Sequence, residues 1–194
     1  MSNLTNEEWY DKMDALYLNP NFLEGYDYMI KLAAPVEKGN IGNGEGVRMV
    51  IWNQGCPLRC PGCHNPETQT QHAGRYLRVK AVENIIKKEA HRHQGITLSG
   101  GDPFLQPHAN RKIADFAHSV GLDVWAYSGR TFENLRDNEE TRLLLEGCDV
   151  LVDGPFILAQ RDVTLAFRGS ANQRIIDVQK SLQTGGIVLY GQYS

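Results

Sequence analysis

No segment of the sequence approaches the roughly 18 consecutive apolar residues that a membrane-spanning helix needs, so no membrane partner is expected. The opening residues, "MSNLTNEEWYDKMDAL", lack the basic start and apolar run of a secretory leader, and the expected location is the cytoplasm. Basic charge is not in excess: 20 Lys and Arg face 23 Asp and Glu, for a net charge of -3. The one local basic group, "KKEAHRH" at 87–93, reads as a solvated helix end, and no nucleic-acid partner is expected. Cysteine is scarce as well, with 4 in 194 residues, too few for a disulfide scaffold. In a reducing compartment such cysteines read better as metal ligands or redox groups. Internal repeats and low-complexity tracts are also missing.

What remains is an ordinary globular composition, 41% hydrophobic and 22% charged, long enough for one core-forming domain. From about Arg48 onward short β-rich runs alternate with helical stretches, which predicts an α/β fold with a mostly parallel sheet. The predicted strands are 47–52, 95–99, 122–128, 149–154, 174–178 and 186–190. One helix between them carries Ile113, Phe116, Ala117 and Val120 at i, i+3, i+4 and i+7, a single apolar stripe for the sheet. A shorter stripe runs through Val82, Ile85 and Ile86. Residues 1–35 differ: Thr5 to Glu8 forms a capping-box pattern before Trp9, Met13 and Leu16, which predicts a helical extension ahead of a domain spanning 36–194.

Loops after parallel strands gather at one end of the sheet, where ligands bind. Here those loops are "GCPLRCPGC", "GGDP", "SGRT" and "DGPF". The first holds Cys56, Cys60 and Cys63 in the spacing C-x3-C-x2-C. Structural zinc takes four closed ligands, usually in two paired halves, and this spacing supplies only three. Cys148, at the start of an apolar strand, reads as a buried inert thiol. Three thiolates suit a four-iron cluster with one iron left open to a ligand, in a loop whose glycines and prolines let it curl around the cluster. An adventitious zinc loop is the alternative.

The cysteine spacing together with "SGGDP", Ser99 to Pro103, resembles the radical S-adenosylmethionine (SAM) superfamily. Within it, "GEGVRMVIWNQGC", "WAYSGRTFENL", "VLVDGPF" and "FRGSANQRIIDV" resemble, in that order, the activating enzymes of anaerobic (class III) ribonucleotide reductase. The resemblance runs from about Gly42 to Val178 and does not include residues 1–35 or the tail after Val178. It implies an incomplete, TIM-like barrel, a [4Fe-4S] cluster on Cys56, Cys60 and Cys63, and SAM as the second cofactor. It further implies that Gly62, Cys63 and His64 face the cofactor, with the His64 ring near the adenine. Gly100 and Gly101 would contact SAM through their backbone, paired glycines allowing close approach. Ser128, Gly129 and Arg130 become candidates for the ribose or carboxylate. Asp102 and Asp153 would orient loops or bind polar groups of the cofactor, and Arg168, Ser170, Asn172, Gln173 and Arg174 would bind SAM or receive the partner.

The implied partners are the large subunit of the reductase, which carries the glycine that becomes a radical, and a flavodoxin-like electron donor. Cleavage of SAM and hydrogen transfer need no acid–base pair, so no catalytic residue is expected beyond the cluster and SAM. The rival readings are an activase of a pyruvate formate-lyase type enzyme, a small-molecule radical SAM enzyme of the deazaguanine-forming kind, and a non-catalytic iron–sulfur or zinc module.

Overall fold

The computed structural model describes residues 28–191 and Tyr193. The helix predicted from Thr5 lies outside the described residues. Eight strands follow: β1 Met29–Leu32, β2 Glu37–Asn40, β3 Arg48–Asn53, β4 Arg75–Arg78, β5 Gly95–Gly100, β6 Asp123–Tyr127, β7 Val150–Asp153 and β8 Arg174–Asp177. Among them lie helices α1 Val79–Glu89, α2 Pro107–Ser119, α3 Phe132–Arg136, α4 Glu139–Leu145 and α5 Val178–Thr184.

All strands join one sheet in the order β4-β1-β3-β5-β6-β7-β8, with β2 added to the outer half of β3. Strands β3, β5, β6 and β7 run parallel and form its centre. Buried on both faces, they read as nearly unbroken apolar runs, which is why sequence patterning finds them. The two ends of the path, β4 and β8, do not pair with each other, so the sheet stays open.

The helices cover one face. Val82 and Ile86 of α1 and Ile113, Ala114 and Ala117 of α2 are fully buried against Met49, Ile51, Ile96 and Leu98. Each such aliphatic side chain contributes about 1.5–3 kcal/mol by leaving water. The inner face carries a second, smaller core of Trp125, Val150, Val152 and Ile175. Phe167 and Tyr190 close on Trp125 edge-on, at 5.5 and 5.4 Å between ring centroids. Arg48 is also fully buried there, its guanidinium 5.4 Å from the Trp125 ring, donating to Thr97 Oγ1 (2.8 Å), the Ile96 carbonyl (2.7 Å) and the Asp123 carboxylate. Those partners satisfy a charge that burial alone would make costly.

Three elements depart from the sequence-based expectation. Residues 29–32, assigned to the helical extension, form β1, which pairs antiparallel with β4 along its length and buries Ile30 and Leu32 in the main core. Strand β8 runs antiparallel to β7, because the segment between them contains no crossover helix and returns at the end of the sheet it left. The 186–190 stretch makes only an isolated bridge, Leu189 to Ile176, and lays Tyr190 across the inner face.

Candidate functional site

Strand β3 ends at Asn53, and the loop that follows is tied shut at its base. Gln54 donates its side-chain amide to the carbonyls of Glu67 (3.1 Å) and Thr70 (2.6 Å), while the Gly55 and Cys56 amides donate to Thr68 (2.7 Å) and Gln69 (3.0 Å). Inside this closed loop the Cys63 amide donates to the Cys60 carbonyl (3.1 Å), a turn that Gly62 completes at φ +75°. Cys56, Cys60 and Cys63 are all half-buried free thiols. Burial pushes the Cys56 thiol up, against a lowering backbone hydrogen bond from Leu58, and the Asn65 amide donates to Cys63 Sγ at 3.4 Å.

The thiols line one side of a cleft of about 180 Å³. Its other walls are strand ends: Ser99, Gly100 and Gly101 at the end of β5, Tyr127, Ser128 and Gly129 at the end of β6, and Gly154 and Phe156 after β7. His64 also lines it, its ring 5.0 Å from that of Phe156. Among the described residues no three His, Cys, Asp or Glu side chains converge on one ion. A zinc ion draws its thiolates to about 2.3 Å of a single point, whereas each iron of a cluster takes its own thiolate. A cleft bordered by three spaced thiols and roofed by glycine backbone fits the second arrangement.

The two glycines at the end of β5 are required for a reason that the sequence does not show. A Cβ on Gly101 would stand 2.1 Å from the Gly55 carbonyl oxygen, and one on Gly100 would stand 2.5 Å from that of Asn53. The Gly101 amide donates to Asn53 (2.8 Å) and the Asp102 amide to Gly55 (2.8 Å). Their small size therefore lets the loop after β5 lie directly on the cysteine loop, so both walls of the cleft move as one. Asn53, fully buried, adds to this join: its side-chain oxygen accepts from Asn110 (2.8 Å) and Gln106 (3.3 Å) on the next helical segment. No local pattern marks Asn53 or Gln54.

The two candidate aspartates are engaged with the protein. Asp102, 1% exposed, caps the turn after it by accepting from the Phe104 amide (3.0 Å), accepts from the Ser128 hydroxyl (3.1 Å), and lies 3.7 Å from Arg130. Burial pushes its carboxyl up, opposed chiefly by the Phe104 amide. Ser128 thus faces the cleft while its hydroxyl is anchored from behind. Asp153, also 1% exposed, accepts from the Phe132 amide (2.7 Å) and from Arg174 Nε and Nη2 (3.0 and 2.5 Å). Neither carboxylate is among the groups that border the cleft.

Arg174 also grips Glu133 with two hydrogen bonds of 3.1 and 2.8 Å, which hold that carboxyl well below its ordinary value of 4.5, at about 2. A carboxyl held low in the folded state stabilises the fold fully above its ordinary value and loses that contribution as the pH falls toward about 2. Glu133 is 42% exposed, so Glu133→Gln is expected to cost under about 1 kcal/mol at pH 7. The difference from the unaltered chain is expected to shrink between pH 4.5 and 2, which acid-dependent thermal melts would measure.

In "RGSANQR" the side chains mainly bind their own turn. Gln173 accepts from the Gly169 and Ser170 amides (2.8 and 3.1 Å) and donates to the Gly154 carbonyl (3.1 Å), while lining the cleft. Arg168 donates to the Gln173 carbonyl at 3.2 Å. Cys148 lies away from all of this, fully buried, with its thiol 3.3 Å from the Leu144 carbonyl and pushed far up by burial.

Residues 42–176 match a family model described as a 4Fe-4S single cluster domain. The chain is 36% identical over 141 residues to the anaerobic ribonucleoside-triphosphate reductase-activating protein of Haemophilus influenzae, covering 69% of this chain and 89% of that one. The protein of the same name from Escherichia coli K12 is 34% identical over 143 residues, with 69% and 90% covered. That of Enterobacteria phage T4 is 32% identical over 139 residues, with 69% and 85% covered. Among solved structures, QueE from Escherichia coli superposes with a TM-score of 0.46 at 13% identity, over 67% of this chain and 58% of that chain.

Proposed function

Because this chain belongs to the family of anaerobic ribonucleoside-triphosphate reductase-activating proteins, we propose that it installs a glycyl radical on the large subunit of anaerobic ribonucleotide reductase. Its cofactors are a [4Fe-4S] cluster and SAM. The observation that carries this reading is the shared cleft: three half-buried thiols of one closed loop face the glycine-lined strand ends. Cys56, Cys60 and Cys63 are assigned as the cluster ligands, and no fourth cysteine is near.

Held there by Cys56, Cys60 and Cys63 and by the glycine-lined strand ends, the two cofactors would supply the one-electron chemistry needed to remove a hydrogen from a glycine α-carbon. The chain itself binds, orients and shields. Gln54 and the amides of Gly55 and Cys56 hold the ligand loop closed, and Asn53 locks it to the loop after β5. Gly100, Gly101 and Ser128 are assigned to the amino acid and ribose portions of SAM, with Asp102 fixing Ser128 from behind. His64 and Phe156 stand together at the cleft and are assigned to its cofactor-facing wall. Asp153 serves the site indirectly, by joining β7 to β8 and α3. The electron is assigned to a flavodoxin-like donor, with the cytoplasm as the setting.

The test is electron paramagnetic resonance of the anaerobically reconstituted, reduced protein with and without SAM. A four-iron signal that changes shape on adding SAM is expected. A spectrum indifferent to SAM, or a protein holding about one zinc and no sulfide, would overturn the reading.

A further inference from the structure

The segment 154–173 leaves β7 and enters β8 at the cleft end of the sheet, and its Phe156, Leu158 and Gly169 lie against Gly62 and His64 of the cysteine loop. Its base is fixed. The Ile157 amide donates to Ser170 Oγ (3.2 Å), Asn172 donates to the Pro155 carbonyl (2.8 Å), and the Ala171 amide donates to Gln160 (2.8 Å). Its outer part carries three exposed large apolar side chains among polar ones, with Ile157 36%, Leu158 54% and Val163 76% exposed. Leu58 of the cysteine loop, 38% exposed, faces the same cleft.

These residues adjoin one another through the cleft wall. A Cβ on Gly62 would stand 3.0 Å from Leu158 Cδ1 and 3.4 Å from the Phe156 ring, and one on Gly129 would stand 2.2 Å from Leu58 Cδ1. Leu158 therefore lies on the turn between Cys60 and Cys63, and Leu58 lies over the loop after β6. Two more large apolar side chains are exposed among the described residues, Ile41 and Leu189. Ile41 lies in the β2–β3 connection, from which Asn43 also reaches the cleft, while Leu189 bridges to Ile176 in the tail. Leu58 thus lines the cleft and Leu158 lies against the cysteine loop beside it, with Ile157 next to Leu158 and Val163 farther along the same segment. Such a patch is the mark of a protein-docking surface, and a small substrate entering the cleft would have no use for it.

Resting on the functional reading above, we propose that Ile157, Leu158, Val163 and Leu58 form the seat for the large reductase subunit. They receive an uncharged, apolar surface flanking the glycine to be oxidised. The patch is continuous with the cleft that the glycine must reach, so the same contact that positions the α-carbon also covers the cleft against water. The turn formed by Ser170, Asn172 and Gln173 holds the seat in place without touching the partner.

The experiment compares the full chain with Ile157→Asp/Val163→Asp and with Leu189→Asp, measuring affinity for the purified large reductase subunit by biolayer interferometry. SAM cleavage by the reconstituted proteins with a chemical reductant and no reductase is measured in parallel. The double variant is expected to bind at least tenfold more weakly and to cleave SAM at the unaltered rate, with Leu189→Asp unchanged in both. Unweakened binding by the double variant, or equal weakening by Leu189→Asp, would overturn the seat and leave the activase reading standing. A loss of self-association with reductase binding intact would assign the patch to a second copy of the chain and likewise overturn the seat. No binding by the unaltered chain, together with no SAM-responsive cluster, would remove the activase reading and the seat together.

Discussion

Cys60→Ala is expected to reduce bound iron and sulfide from about one cluster per chain to near zero, while Cys148→Ala leaves both unchanged. The two thiols differ in every property that metal binding needs. Cys60 is half-buried on the closed loop after β3, across the cleft from the strand ends, with its thiol open to the cleft. Cys148 has no exposed surface, its thiol lies against the Leu144 carbonyl, and burial pushes its ionisation far above neutral pH. With only three cysteines at the cleft, loss of one leaves two, too few to retain four irons against chelation. Iron and sulfide analysis after anaerobic reconstitution checks both variants. The Cys148 variant removes one buried sulfur and is expected to melt only about 2–4 °C lower, the shift that roughly 1 kcal/mol produces in a chain of this size. Iron loss in the Cys148 variant with no larger drop in melting temperature than this would overturn the three-ligand assignment.

Gly101→Ala is the second large effect, and it acts without touching a cysteine. Its new Cβ would need to occupy space 2.1 Å from the Gly55 oxygen and 2.7 Å from the Gly55 carbon, which are backbone atoms and cannot swing aside as a flexible side chain can. The loop after β5 must then lift from the cysteine loop, breaking the hydrogen bonds from Gly101 to Asn53 and from Asp102 to Gly55. Overpacking of this kind costs about 1–3 kcal/mol. The apo chain is accordingly expected to melt about 2–12 °C lower. The reconstituted variant is expected to bind SAM at least a hundredfold more weakly, because the two walls of the cleft no longer keep their spacing. Gly42→Ala is the control: its nearest neighbour would be 3.9 Å away, and neither quantity should move. Thermal melts and SAM titrations separate the two variants. An unaffected Gly101→Ala protein would show that the two loops are not rigidly joined.

The parallel centre of the sheet was legible because strands buried on both faces leave continuous apolar runs such as "VRMVIW" and "GITLS". The cysteine loop was legible because its three thiols are close in the chain as well as in space. Strand β1 was not, since the stretch around Met29 carries no alternation of its own and acquires its form from pairing with β4. The direction of β8 was hidden for a related reason: a strand pattern carries no sign of polarity, which here follows from a connection with no α-helix to cross the sheet. The paired glycines were recognised with an incomplete rationale. They border the cleft, as expected, yet what forbids a side chain at each is the neighbouring backbone.

By itself the sequence pointed to the candidate donor set, because three cysteines on one short loop stay near one another whatever the rest of the fold does, and all three border one cleft. It also determined the family, through motifs kept in order along the chain. Which polar residues face the cleft and which hold the fold was decided only by the tertiary structure. Asp102 finds Ser128 across 26 residues of chain, and Asp153 finds Arg174 across 21. A buried carboxylate must take whatever donors packing brings to it, and those donors arrive from other strands, where no local pattern in the sequence can announce them.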